Sequence, residues 1–422
     1  MIKKQNILKI SKYLYLLLIF LIPLNLGKHF EIYSSYVDGV VIDYLIPTVY
    51  VQDILVFIIL ILWFADGGLY RFIFSKDKFL ERKEVTVSIL FIFSVFLSTI
   101  SSLRFLPSFY AWSRLFIYFL LFLYSLFEIH IEDEFFNILG VVSISVTLLS
   151  VLGILQFFNK GSVFNNYLLF GEQPYTPSTS NITIKNFLGR AVVPSYGLFR
   201  HPNIFGGYLS LMLLWLIPFI KNRKIYIVPV VLGILSLFFT FSYISWISFL
   251  FGLFSHLILS KSVKNTYNKK QILSGIVIAL CLFLLIIPMF GKNSYNDPSV
   301  YRRVNFSKAS YRIIKDKPLF GVGFNNSVIV MDSYNTYSND ISFVQPVHNI
   351  FLLIFSESGV FSFLLLFLLL MLVIKKLVNS SYFYIFFISV LQIIILGSFD
   401  HYILTMHQTL LLFWLILGIS LQ

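Results

Sequence analysis

The sequence predicts an all-α membrane protein of about twelve transmembrane helices, with a large helical extracytoplasmic loop before the tenth. Three observations carry this. Hydrophobic residues make up 58% of the chain and charged residues 12%, with a mean hydropathy of +0.85, which excludes an ordinary soluble domain of 422 residues. Apolar runs of spanning length recur from end to end. The basic residues collect in alternate short connections rather than in one patch. A net charge of +13 invites a nucleic-acid partner, but sidedness in a membrane accounts for these residues, so the bilayer and not nucleic acid is the expected partner.

In chain order the expected spans are 10–26, 48–65, 86–101, 110–127, 136–158, 203–220, 225–241, 243–260, 271–290, 350–374, 381–398 and 402–420. The first is preceded by Lys3, Lys4, Lys9 and Lys12 like a signal peptide, but no small-residue cleavage site follows it, so it is read as retained. With the N-terminus inside, the cytoplasmic turns receive Arg71, Lys76, Lys78, Arg82 and Lys83, then Lys221, Arg223 and Lys224. Lys261, Lys264, Lys269 and Lys270 follow, and finally Lys375 and Lys376. This distribution fits the positive-inside rule and leaves both termini cytoplasmic. The acidic stretch from Glu128 to Glu134 is a mild exception, because carboxylates weigh little in that rule.

Two long segments then face outward, 159–202 and 291–347, as covers on a single membrane domain spanning 1–422. Both are rich in aromatics and turn formers, and neither is large enough for an independent core. The second contains Tyr301–Lys317, which reads as a helix ended by Pro318. On a helical wheel Lys308, Arg312 and Lys315 share one face, the ordinary pattern of a solvated or headgroup-facing surface. Arg303 falls opposite, near Phe306, Ser310 and Ile313, where a guanidinium needs a partner; Arg302 is its neighbour.

His348 begins the hydrophobic run that follows. A lone histidine at a helix end is more often structural than catalytic. Here it lies where an external loop meets a membrane helix, and a neutral imidazole there can take a proton from a hydroxyl on a lipid-borne substrate. Seven histidines include no i,i+4 pair, and Cys281 is the single cysteine, so neither a metal nor a disulfide is expected. Arg200, at the start of the sixth span, is a cation where anions are favoured. Asp400 and His401, in the short turn before the last span, read either as a catalytic pair or as ordinary turn polarity. The Gly321–Gly323 turn lacks the third glycine of a dinucleotide fingerprint and reads as a tight turn.

The order GLFRHPN, FTFSYISW, YRRVNFSKASYRIIKDKPLFGVG and HNIFLLIFSESGV resembles the O-antigen ligase and O-antigen polymerase superfamily of bacterial membrane glycosyltransferases. By motif the resemblance covers about residues 195–375. It implies transfer of a glycan from a polyprenyl-pyrophosphate carrier to a glycan, lipid or protein acceptor at the outer face of the cytoplasmic (inner) membrane, with no cofactor and no metal. It puts the family's histidine at His348 and its arginine at Arg303, as catalytic residues. Arg200, Arg302, Asn203, Asn349, Glu357 and Arg312 form the implied substrate-binding set. Where the family often carries Thr-x-Ser-Arg, this chain has Thr240-Phe241-Ser242-Tyr243, and Arg200 is the substitute at hand. A polymerase is the nearest rival. A transporter or flippase of lipid-linked glycans is the rival from another class, but it calls for internal pseudo-symmetry and charges at mid-membrane depth, neither of which the sequence offers.

Overall fold

A computed structural model describes residues 2–74, 82–262, 298–335, 345–379 and 384–422. The described residues are all-α apart from three two-stranded antiparallel sheets. The count of spans is corrected. Among the described residues six helices, against the twelve spans expected, are long and apolar enough to cross a membrane: Lys83–Ile100, Phe105–Glu128, Ile131–Asn159, Pro202–Phe219, Tyr243–Ser260 and Ile350–Val378. The first expected span forms a helix, α1 (Ile2–Leu21), but Lys3, Lys4, Lys9 and Lys12 occupy its first half. Four others are apolar but shorter than 18 residues: Val51–Ala65, Lys224–Phe239, Tyr384–Phe399 and His407–Ser420. The expected span 271–290 lies outside the described residues.

The physical reason is that hydropathy runs on through turns. The run at 402–420 is broken where the helix Tyr402–Thr405 ends and His407–Ser420 begins. Met406, between them, is extended (φ −100°, ψ 132°). The last of these helices is buried along its whole length, so its apolar composition reflects packing against protein.

The remaining helices are α2 (Val51–Ala65), α3 (Gly68–Phe74), α4 (Lys83–Ile100), α5 (Phe105–Glu128), α6 (Ile131–Asn159), α7 (Pro202–Leu216), α8 (Ile227–Phe239) and α9 (Tyr243–Ser262). Then come α10 (Pro298–Asp316), α11 (Ser327–Val330), α12 (Ile350–Asn379), α13 (Tyr384–Phe399), α14 (Tyr402–Thr405) and α15 (His407–Ser420). One continuous apolar core joins the long helices: α4 packs on α12, α5 on α15, α6 on α8, and α9 on both α7 and α13. Charges gather at the helix ends. At one end Arg71 pairs with Asp66 (2.7 Å) and Glu128 (2.9 Å), and Trp63 Nε1 donates to the same Glu128 carboxylate (2.8 Å). That bonding explains a carboxylate among the basic turns.

The other end carries the sheets and the loops. Strands β1 (Gly27–His29) and β4 (Thr48–Tyr50) pair antiparallel, with β2 (Tyr36–Val37) and β3 (Val40–Val41) between them; β5 (Lys185–Phe187) pairs β6 (Arg190–Val192). Local chemistry starts the helices here. His201 caps α7, its Nδ1 accepting from Asn203 N (3.1 Å), with Pro202 in the first turn. Asn349 caps α12, its Oδ1 accepting from Phe351 N (2.9 Å) and Leu352 N (3.0 Å).

Helix α12 is interrupted at Gly359 (φ 76°, ψ −177°). The turn 318–323 docks there backbone to backbone. Val360 N donates to Pro318 O (2.9 Å), Val322 N to Ser356 O (3.0 Å) and Gly323 N to Glu357 O (2.9 Å). The glycines of the PLFGVG and ESG motifs are therefore two halves of one contact. A Cβ on Gly321 would lie 2.3 Å from the Glu357 carbonyl carbon.

Candidate functional site

Four segments remote in sequence meet at the loop end of the helices. His348 comes from the start of α12, and Asp400 and His401 from the turn between α13 and α14. Arg303 comes from α10, and Asn203 from the first turn of α7. His348, Asp400 and His401 each offer one ligating atom, and these atoms lie within 4.8 Å of one another.

Asp400 is buried, and its bonds fix it. Oδ1 accepts from its neighbour His401 N (2.8 Å), and Oδ2 accepts from Asn203 Nδ2 (3.2 Å). The His401 ring stands across His348 at 5.1 Å between centroids, 67° apart, with Tyr44 edge-on behind it at 5.6 Å. Its Nδ1 meets Thr405 Oγ1 at 2.8 Å, while its Nε2 faces Asp400 Oδ1 at 4.0 Å. His348 is half-buried against Phe306, whose ring lies parallel at 6.3 Å, and its Nδ1 is buried with no hydrogen-bond partner. Arg303 reaches from α10 to the C-terminal end of α13, where Nη1 donates to Phe399 O (3.2 Å), an end at which carbonyls lack helical partners.

The electrostatics follow from this packing. Burial pushes His348 below the usual imidazole value, and His401, Arg303 and His201 push the same way; Asp400 opposes them. His401 is lowered too, by burial and then by Arg303, again against Asp400. Burial works against charge on Asp400, but His348, His401, Arg303 and His201 outweigh it and hold the carboxyl well below its ordinary range. The result is a neutral imidazole beside a carboxylate and a guanidinium.

The other residues singled out in the sequence go elsewhere. Arg200 Nη2 bonds His29 Nε2 (2.9 Å) and its Nη1 pairs with Asp43 (3.4 Å), so its bonds run to the 27–50 segment. Arg200 and His201 border a cavity of about 150 Å³ also lined by Gln173, Tyr175, Asn181 and Tyr196. Arg302 is half-buried on α10 with contacts of its own. Arg312 donates to Tyr334 O (2.8 Å) and, with Lys308, Tyr311 and Lys315, lines an open groove of about 550 Å³ on α10. Asn349 Nδ2 donates to Ser398 O (2.9 Å), so it both caps α12 and ties it to α13.

Glu357 is buried away from this cluster. Its carboxylate accepts from Asn325 N (2.9 Å), Ser327 N (3.3 Å) and Ser327 Oγ (2.7 Å). These bonds give it the work of holding the 323–327 loop on α12. Glu357→Ala strands those donors and is expected to cost about 1–3 kcal/mol, seen as a lower melting temperature of the detergent-solubilised chain. An unchanged melting curve would contradict that role.

Sequence reading singled out His348, Arg303 and the Asp400-His401 pair separately. It could not join them, because nothing in their spacing says that the turn after α13 returns to the start of α12. The signal available was two polar residues in a short turn between apolar helices.

No curated protein sequence matches the chain. Residues 228–367 match the family model described as O-Antigen ligase. The matched stretch contains α10 with Arg303 and the start of α12 with His348, and it ends before Asp400. The protein is thus a multi-pass membrane protein that is similar to the O-antigen ligase family over residues 228–367.

Proposed function

We propose that the protein is a metal-independent glycosyltransferase of the ligase or polymerase type, acting on a polyprenyl-pyrophosphate-linked glycan at the outer face of the cytoplasmic membrane. The observation that carries this reading is His348 set against Asp400, beside Arg303, inside a chain similar to the O-antigen ligase family over residues 228–367. The acceptor oxygen bonds to the anomeric carbon as the bond from that carbon to the phosphate oxygen breaks. The acceptor proton passes to the neutral His348 imidazole. Asp400 stabilises the imidazolium that results, and Asn203 and the His401 backbone N–H hold Asp400 in place. Arg303 uses one of its five donors on Phe399 O, and its planar fork meets the pyrophosphate as negative charge develops on the leaving group.

The deciding experiment is reconstitution with a polyprenyl-pyrophosphate glycan and candidate acceptors, followed by product sizing. One discrete shift identifies a ligase and a ladder a polymerase. Carrier crossing the bilayer with no new glycosidic bond would replace this reading with a flippase.

Two further results are expected. Arg303→Lys keeps the charge but loses the fork, so transfer falls by about 10²-fold. Lys308→Ala, an exposed residue in the groove on α10, leaves turnover within about twofold, as for an ordinary surface substitution. Equal damage from both would make α10 a diffuse electrostatic surface. For sidedness, cysteines at Asn181 and at Lys221, both exposed, are introduced in a Cys281→Ser background. They should label from outside and inside respectively, because the lysine-bearing turns belong inside. Labelling of both from one side would overturn the assigned orientation.

A further inference from the structure

The His348, Asp400 and His401 group has a property that proton transfer does not use. Thr405 Oγ1 lies 2.8 Å from His401 Nδ1 and 3.3 Å from His401 O, so with its own hydrogen on the carbonyl it accepts from Nδ1. In the tautomer that donates from Nδ1 to Thr405, His401 Nε2 carries a lone pair and faces a carboxylate oxygen at 4.0 Å. Two electron-rich atoms held opposite each other call for a cation. His348 adds a third donor on the same side. Its Nδ1 makes no hydrogen bond, so turning the ring breaks none at that nitrogen. The three ligating atoms lie within 4.8 Å of one another, and seating them about 2.0–2.2 Å from a tetrahedral zinc ion takes a turn of His348 and a closing of the 4.0 Å between His401 Nε2 and Asp400 Oδ1. The remaining partners are those that orient metal ligands elsewhere: Thr405 on His401 Nδ1 and Asn203 on Asp400 Oδ2. His201 is excluded as a fourth ligand, because its Nδ1 caps α7 and its Nε2 bonds Thr183 Oγ1 (3.1 Å).

We propose that His348, Asp400 and His401 bind one zinc-type divalent cation, and that its binding arrests glycan transfer by occupying the imidazole that accepts the acceptor proton. Two imidazoles and one carboxylate select a borderline metal over Mg²⁺ or Ca²⁺, which prefer oxygen. The positive charge of Arg303 beside the site weakens the affinity, so the cation is an inhibitor that comes and goes. The arrest rests on the proposed role of His348 as base; the binding site does not.

The test uses the full-length chain without a polyhistidine tag, stripped by chelator, in detergent or nanodiscs. Zinc affinity and stoichiometry are read by competition with a chromophoric chelator, and transfer is assayed in parallel. The expected result is one zinc per chain, with affinity reduced at least about tenfold in each of His348→Ala, Asp400→Asn and His401→Ala. Mg²⁺ does not compete. Zinc inhibits the unmodified chain, and chelation restores it. Matched melting curves and elution profiles keep misfolded variants out of the comparison, and Arg303→Gln, which removes the opposing charge, should bind zinc more tightly. Absence of stoichiometric binding, or equal affinity in all the ligand variants, overturns the site. Binding at the site with transfer that is lost on chelation and restored by zinc overturns the arrest and the metal-free mechanism together. Zinc binding lost in His348→Ala while transfer continues overturns His348 as base and leaves the site standing.

Discussion

Replacing His348 by alanine should lower turnover by about 10²–10⁴-fold, the usual contribution of a positioned general base. Little else should change. The ring makes no hydrogen bond through Nδ1 and is half-exposed, so its removal leaves no buried donor stranded. Asp400 keeps its bonds to Asn203 and to the His401 backbone, and Asn349 still caps α12. Donor binding, measured as retention of the carrier-linked glycan, should therefore stay near the unmodified level while the chemical step slows. His348→Gln separates position from basicity: it fills the space but cannot take the proton, and should be as slow as alanine. Full turnover in a well-inserted His348→Ala chain would move the base elsewhere, with His401 beside Asp400 next in line.

Gly359→Ala should be the most damaging single substitution for the fold. Gly359 has φ 76° and ψ −177°, a region open in practice only to glycine, and strain of this kind costs about 1–3 kcal/mol. Space adds to it. A Cβ there would lie 1.9 Å from Leu319 O and 2.6 Å from Phe320 N, which are backbone atoms and cannot swing aside. The 318–323 turn would have to lift off α12, breaking the bonds from Val360 N, Val322 N and Gly323 N. Because that turn follows α10 directly, Arg303 would move with it. The expected outcome is a much lower melting temperature or loss of the inserted chain, with transfer falling in whatever survives. Glycine-to-alanine at Gly140, where a Cβ meets nothing within 4 Å, is the control and should be tolerated. Equal melting temperatures for the two variants would mean that α12 is not held in this kinked form.

The membrane class and the helical content were legible because composition and long apolar runs act over many residues at once. The number of spans was not, because apolarity measures burial in lipid and in protein alike. Helix α15 is as hydrophobic as a span and is wrapped by its neighbours. Within the site, the start of α12 could be read from the loop-to-helix transition at His348, and the face of α10 that carries Arg303 from the 3.6-residue period. Glu357, which the resemblance gives to substrate, answers three donors of the adjacent loop, a partnership that no local pattern announces. The pairing of Arg200 with Asp43 could not be foreseen across a sequence separation of 157 residues. The triad was out of reach for the same reason: long-range juxtaposition leaves no local trace.

The bond from Asn203 to Asp400 joins residues 197 positions apart. During synthesis, α7, α10 and α12 emerge and pack before the carboxylate that unites them has been made. Until α13 and the turn after it arrive, His348 has no acidic partner and Arg303 has no helix end to rest on. The cluster therefore stays incomplete until that turn joins the helices already packed, and it is assembled in a single event. A chain stopped before that turn carries none of the cluster's long-range contacts.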